Sequence, residues 1–153
     1  MRFLFVDEIL ELSPGREIVA VRELRPDEEF FRDHFPGFPV VPGVLLTEMM
    51  AQAAGKCLDA EGSPRGKAML ARIRSASFRR WVRPGDRAII KAVIGTNQER
   101  TATAECRVEV GGAAAAESDL LFAFVPAGSF AKDYRDEVLW NYLHKKEGRR
   151  RDG

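Results

Sequence analysis

His34-Phe35-Pro36-Gly37-Phe38-Pro39-Val40-Val41-Pro42-Gly43-Val44-Leu45-Leu46-Thr47-Glu48 is the stretch on which the reading of this chain turns. One of only two histidines sits in a proline-braced loop, and the loop feeds a long apolar helix that carries a carboxylate. Pro36, Pro39 and Pro42 fix φ at three points while Gly37 and Gly43 permit tight turns, so the backbone sets the direction of the imidazole. Gly43 starts the helix behind Pro42. The first backbone N–H groups there, of Gly43 and Val44, lack intrahelical partners and can hold a carbonyl oxygen as it gains negative charge. Glu48 lies about five residues inside the helix, among Val44, Leu45, Met49 and Ala51. A carboxylate in such company is costly to bury unpaired, and its depth in the helix fits a capping role poorly. An imidazole and a carboxylate placed this way suggest acid–base chemistry on an apolar substrate. Gln52, one turn beyond Glu48 on the same stripe, can orient Glu48 or a water, or satisfy a neighbouring backbone group.

Outward from this stretch, the helix is expected from about Gly43 to about Ala60. At 100° per residue, Leu46, Met50, Ala53 and Cys57 share one face, and Val44, Glu48, Gln52, Gly55 and Asp59 the opposite one. Met49, Ala51, Ala54 and Leu58 make the flanks apolar too, which predicts an enclosed helix. Upstream, residues 2–12 and Glu17–Leu24 read as a strand pair around Ser13-Pro14-Gly15-Arg16. The segment Arg25–Val41 has no sustained period, and connections of that length in a compact domain are more often functional than idle. Downstream, Lys67–Arg80, Arg87–Thr96, Thr101–Val110 and Ala113–Val125 read as strands. Thr101–Val110 alternates most cleanly, and Gly111-Gly112 is a hairpin signal. In the tail, Tyr134–Lys146 predicts a helix with Val138, Leu139, Tyr142 and Leu143 along one side, followed by a disordered end from Gly148. Strands before and after one apolar helix predict an α+β fold, an antiparallel sheet curled around that helix. Such a sheet has an exposed edge, and a dimer that continues the sheet would cover it.

The 153 residues suffice for one domain with a real core. Lys plus Arg number 24 against 23 for Asp plus Glu, a balance that argues against a nucleic-acid binder. No apolar run approaches the roughly 18 residues that span a bilayer, and Asp7 arrives too early for a signal peptide's apolar core. Cys57 and Cys106 are too few for a disulfide framework and lack metal-ligand spacing. They read as reduced core thiols of a cytoplasmic protein. No metal and no cofactor is expected, and His144, in the charged tail, is given no role.

The motif His34-Phe35-Pro36-Gly37-x-Pro39-Val40-x-Pro42-Gly43-Val44-Leu45-x-x-Glu48-x-x-Ala51-Gln52 resembles the signature of the (3R)-hydroxyacyl-[acyl carrier protein] dehydratases, which have the hotdog fold. Phe78-Arg79-Arg80 with Arg83-Pro84-Gly85-Asp86 resembles that family's second block, although Trp81 stands where proline is common. The resemblance covers roughly residues 3–125. It implies a hotdog domain over residues 1–126, with residues 127–153 as an extension. Glu48 stands where the related dehydratase-isomerases carry Asp, which favours the simple dehydratase.

By this resemblance the chain converts 3-hydroxyacyl thioesters to trans-2-enoyl thioesters in fatty-acid or related acyl-chain synthesis. His34 would take the α-proton, Glu48 would help the 3-hydroxyl leave as water, and the Gly43 N–H would polarise the thioester carbonyl. Each site would draw His34 and Glu48 from two subunits of a homodimer, free or within a trimer of dimers. Phe35, Met49, Met69, Leu70 and Phe78 would line the substrate tunnel. Arg72, Arg74, Arg79 and Arg80 would dock an acidic acyl carrier protein, with coenzyme A as the alternative carrier. The competing readings are a hotdog acyl thioesterase and a non-catalytic acyl-thioester binder.

Overall fold

Small side chains on one face of the sheet make room for the helix. Ala20, Ala88, Ala92, Ala102, Ala104 and Ala116 are all buried on the strands. Against them α2 (Gly43–Asp59) buries Met49, Met50, Ala53, Ala54 and Cys57 completely. In this computed structural model, which describes residues 1–62, 64–129 and 134–151, the strands are β1 (Glu8–Ser13), β2 (Glu17–Glu23), β3 (Lys67–Phe78), β4 (Arg87–Asn97), β5 (Thr101–Val110) and β6 (Ala113–Val125). They form one antiparallel sheet in the order β1-β2-β4-β5-β6-β3. With α2 seated against one face of that sheet, this is the hotdog arrangement.

The central strands follow their sequence pattern. Ala102, Ala104, Cys106 and Val108 of β5 are buried, whereas Glu105 and Arg107 between them are exposed. Gly111 and Gly112 turn β5 into β6 with φ of 60° and 81°, a conformation that side chains with a Cβ disfavour. Burial drives the pKa of Cys57 up to about 11 and that of Cys106 up to about 12, so both thiols stay protonated near neutral pH.

Three boundaries differ from the sequence reading. The first strand begins at Glu8 rather than near residue 2, because residues before it cross α2. There the Phe5 N–H donates to Gln52 Oε1 (2.9 Å) instead of joining a ladder. The unpatterned segment after β2 contains a short helix, α1 (Phe30–Asp33), pinned by buried Phe31. Beside it Arg22 Nη2 reaches Glu28 (2.5 Å) and Arg22 Nη1 reaches Asp7 (2.9 Å). The tail helix, α3, spans Glu137–Arg151 rather than Tyr134–Lys146, and so runs into the stretch from Gly148 that the sequence pattern predicts to be disordered. The final residues of that predicted disordered stretch, 152–153, lie outside the described residues.

The extension docks onto the domain. Leu139 of α3 is buried in the common core, and Val138 and Tyr142 pack against it. Asp136 caps the helix, its Oδ1 accepting from the Leu139 N–H (3.1 Å). No helix among the described residues is long and apolar enough to cross a membrane.

Candidate active site

His34 caps the C-terminal end of α1, and the backbone that follows doubles back on itself. The Phe35 N–H donates to Phe38 O, and the Phe38 N–H to Phe35 O, both at 2.9 Å. Pro36 and Gly37 occupy the two central positions, with Gly37 at φ 76°, as a proline-glycine turn of type II requires. Next along the chain, the Val40 N–H donates to His34 O (2.9 Å), and His34 Nδ1 lies 3.0 Å from Val40 O. A carbonyl oxygen can only accept, so Nδ1 is the donor here, and in the neutral ring Nε2 keeps a lone pair that can act as a base. The half-buried ring stacks on Phe35, with centroids 4.0 Å apart. The loop is held against the segment after β3 by Val41 N–H to Val82 O (2.8 Å) and by an edge contact between Phe38 and Trp81. Trp81 therefore takes part in bracing the loop.

Glu48 sits half-buried on α2, so the full burial its sequence context suggests is not met within one chain. Its Oε1 accepts from Gln52 Nε2 (3.2 Å). The same amide nitrogen donates to Phe3 O (3.1 Å), while Gln52 Oε1 takes the Phe5 N–H. Gln52 thus satisfies backbone groups and orients Glu48 at once, two readings that the sequence leaves as alternatives. At the head of α2, the N–H groups of Gly43 and Val44 have no acceptor among the described residues. A Cβ on Gly43 would meet the Phe78 ring at 3.1 Å, so β3 and the helix start are in close contact.

A cavity of about 340 Å³ runs along α2 beside Glu48, Ala51, Gln52, Gly55 and Lys56. Met69 and Leu70 line its wall from β3. Met49, expected in the tunnel, is instead fully buried in the core; one residue on from Glu48, it is turned about 100° toward the sheet. Phe35 and Phe78 are half-exposed, one on the His34 ring and the other over Gly43, and neither lines this cavity. Lys56, Tyr134 and Asp136 also line it. The sequence reading missed all three. Lys56 had a signal, a lysine on the Glu48–Gln52 stripe of an apolar helix, whereas Tyr134 and Asp136 are brought in by the extension.

No hydrogen bond or ring contact joins His34 to Glu48 among the described residues. Of the four arginines expected at a carrier-protein surface, Arg79 donates through Nε and Nη2 to Glu117 (3.2 and 2.9 Å), and Arg74 lies 3.8 Å from Asp119. Arg72 and Arg80 are exposed and form no ion pair among the described residues.

The fold and the residue pattern define a hotdog domain with Glu48 in a groove along its central helix and His34 in a proline-braced loop outside that groove. The FabA-like domain family matches residues 1–119, and the chain belongs to that family. It is 38% identical over 126 residues to the 3-hydroxyacyl-[acyl-carrier-protein] dehydratase FabZ of Ruminiclostridium cellulolyticum, covering 82% of this chain and 89% of that one. It is 41% identical over 120 residues to the FabZ of Lactiplantibacillus plantarum, covering 78% and 82%. Among solved structures it is similar to the TT0310 protein of Thermus thermophilus (TM-score 0.61, 24% identity, covering 77% of this chain and 91% of that one). It is also similar in fold to the dehydratase heterocomplex ApeI:P of Xenorhabdus doucetiae (TM-score 0.59, 20% identity, 75% and 96%).

Proposed function

We propose that this chain is a hydro-lyase that dehydrates 3-hydroxyacyl-[acyl carrier protein] thioesters to trans-2-enoyl thioesters in fatty-acid biosynthesis. The observation that carries the mechanism is the His34–Val40 hydrogen bond, which holds the proton on Nδ1 and leaves Nε2 as the base. Nε2 removes the proton from the carbon next to the thioester carbonyl. The electrons pass toward the carbonyl oxygen, which the Gly43 and Val44 N–H groups receive, and return to form the carbon–carbon double bond. The 3-hydroxyl leaves with a proton from Glu48, so one C–H and one C–O bond break and water is released.

His34 of one subunit works with Glu48 of the partner subunit. Supporting this are the absence of a hydrogen bond or ring contact between them among the described residues and an unpaired apolar surface along β3. On edge strand β3, Met69, Leu70, Ile73 and Phe78 are 38–50% exposed, and Phe78 leads directly onto the helix start, where Val44 is 75% exposed. Two β3 strands paired edge to edge would cover this surface and continue the sheet. The carrier protein would dock where Arg72 and Arg80 lie exposed beside the site, their charges unspent.

The test supplies a 3-hydroxyacyl thioester and follows enoyl formation and free-thiol release together. Enoyl product without thiol is expected, and thiol release without enoyl would identify a thioesterase instead. His34→Ala and Glu48→Gln should each lower turnover by roughly 10²–10⁴-fold. Mixing the two inactive variants should restore part of the activity, and no recovery after proven subunit exchange would place the site within one chain.

A further inference from the structure

The groove beside Glu48 ends on charge. Along α2 the cavity passes Ala51 and Gly55, small residues that leave room for an alkyl chain, and then meets Lys56. The Lys56 ammonium is 2.7 Å from Asp136 Oδ2, and the two side chains are only 8% and 11% exposed. Asp136 is fixed independently as the cap of α3, whose Leu139 is anchored in the core. Tyr134 stands in the same wall, and burial raises its phenol pKa, so it presents a neutral hydroxyl. Across the groove Lys67 pairs with Asp59 (2.5 Å). A groove that starts at Glu48, with Ala51, Met69 and Leu70 along it, thus meets two ion pairs, one of them completed by Asp136 of the C-terminal extension.

We infer that Lys56, Asp136 and Tyr134 form a polar end wall that limits the enzyme to acyl chains short enough to stop before the Lys56–Asp136 pair. This rests on the dehydratase reading, which places carbon 3 of the substrate at Glu48. From Glu48 to Lys56 is eight residues, about 12 Å of helix rise, and the alkyl tail has roughly that length to occupy. Within the groove each buried methylene should tighten binding roughly fourfold. A methyl end pressed onto the ion pair would strip it of its remaining water and offer no polar contact in return, so the gain should stop there.

The experiment measures binding by calorimetry with saturated acyl-pantetheine amides from butanoyl to hexadecanoyl, which have no 3-hydroxyl to lose and so report the groove whatever the chemistry. In the wild-type protein, affinity should rise with length and then break. In the double variant Lys56→Met, Asp136→Leu, the break should move to longer chains, with the hexadecanoyl-to-butanoyl affinity ratio rising at least tenfold. Replacing both members of a buried pair with apolar residues is often neutral for folding, and thermal melting checks that here. Tyr134→Ala leaves the ion pair in place, should move the break by a smaller step, and decides the matter alone if the double variant fails to fold. A wild-type affinity that climbs without a break to hexadecanoyl, or a break unchanged in the folded variants, overturns the end wall. Enoyl formation by the wild-type protein is read separately: its failure would remove the dehydratase reading while the binding profile still reports the wall.

Discussion

Strands β3 and β5 are of similar length and similarly rich in alternating apolar residues, yet they live in different surroundings. On β5 the inward residues Ala102, Ala104, Cys106 and Val108 are covered by α2, and hydrogen-bonded neighbours flank both edges of the strand. On β3 only Ala68 is buried; every residue from Met69 to Phe78 is exposed, and one edge has no strand beside it. The contrast teaches that apolar alternation reports a face that is meant to be covered, without saying what covers it. For β5 the cover is this chain's own helix. For β3 the described residues of this chain supply none, and in the assembly proposed above the partner subunit would supply it.

The largest expected effect comes from charging the exposed strand. Ile73→Glu should leave the monomer folded but weaken the dimer. Losing an isoleucine from each side of a symmetric contact costs about 3 kcal/mol, roughly a hundredfold in the dissociation constant. Sedimentation at falling concentration measures this, and activity should fall with the dimer. Unchanged association would mean that β3 is not the contact.

The matched change on the covered strand should do the opposite. Val108→Ala leaves a cavity beneath a fully buried position and should lower the unfolding free energy by about 2 kcal/mol, with association untouched. Equal loss of stability from Ile73→Ala would erase the distinction between the strands.

The last effect is chemical, confined to the buried side and absent at neutral pH. The folded-state pKa values of Cys57 and Cys106 lie above the ordinary 9.0, at about 11 and about 12. Groups raised on folding contribute stability that is complete below the unfolded pKa and is lost as pH climbs toward the folded one. Stability should therefore begin to fall near pH 9, by roughly 1 kcal/mol per pH unit for each thiol. The Cys57→Ala, Cys106→Ala variant should show a flatter alkaline limb in thermal melts. An equally steep limb would assign the loss to other groups.

Much of the molecule was legible before any coordinates. The bounds of α2, β5 and β6 follow from strong local patterns: an apolar run behind Pro42, strict alternation, and a glycine pair. Residues 1–7 misled because apolar alternation there serves packing across α2, with Gln52 taking the backbone bonds that a strand partner would have taken. Met49 misled because adjacency to Glu48 in sequence means a different side of the helix. His34 and Glu48 stood out by residue type and setting, whereas the Lys56–Asp136 pair joins residues eighty positions apart.

By itself the sequence determined most of the strand and helix pattern, the rigid histidine loop and the placing of the acid opposite the Leu46, Met50, Ala53 and Cys57 face of the helix, because these depend on local backbone preferences and on side-chain periodicity. Only the tertiary structure decided the hydrogen bond of His34 Nδ1 to Val40, the clamp of Gln52 on Glu48, the exposed edge of β3 and the ion pairs in the groove. Each of these depends on which distant groups come within hydrogen-bonding reach, and that is fixed by packing rather than by spacing along the chain.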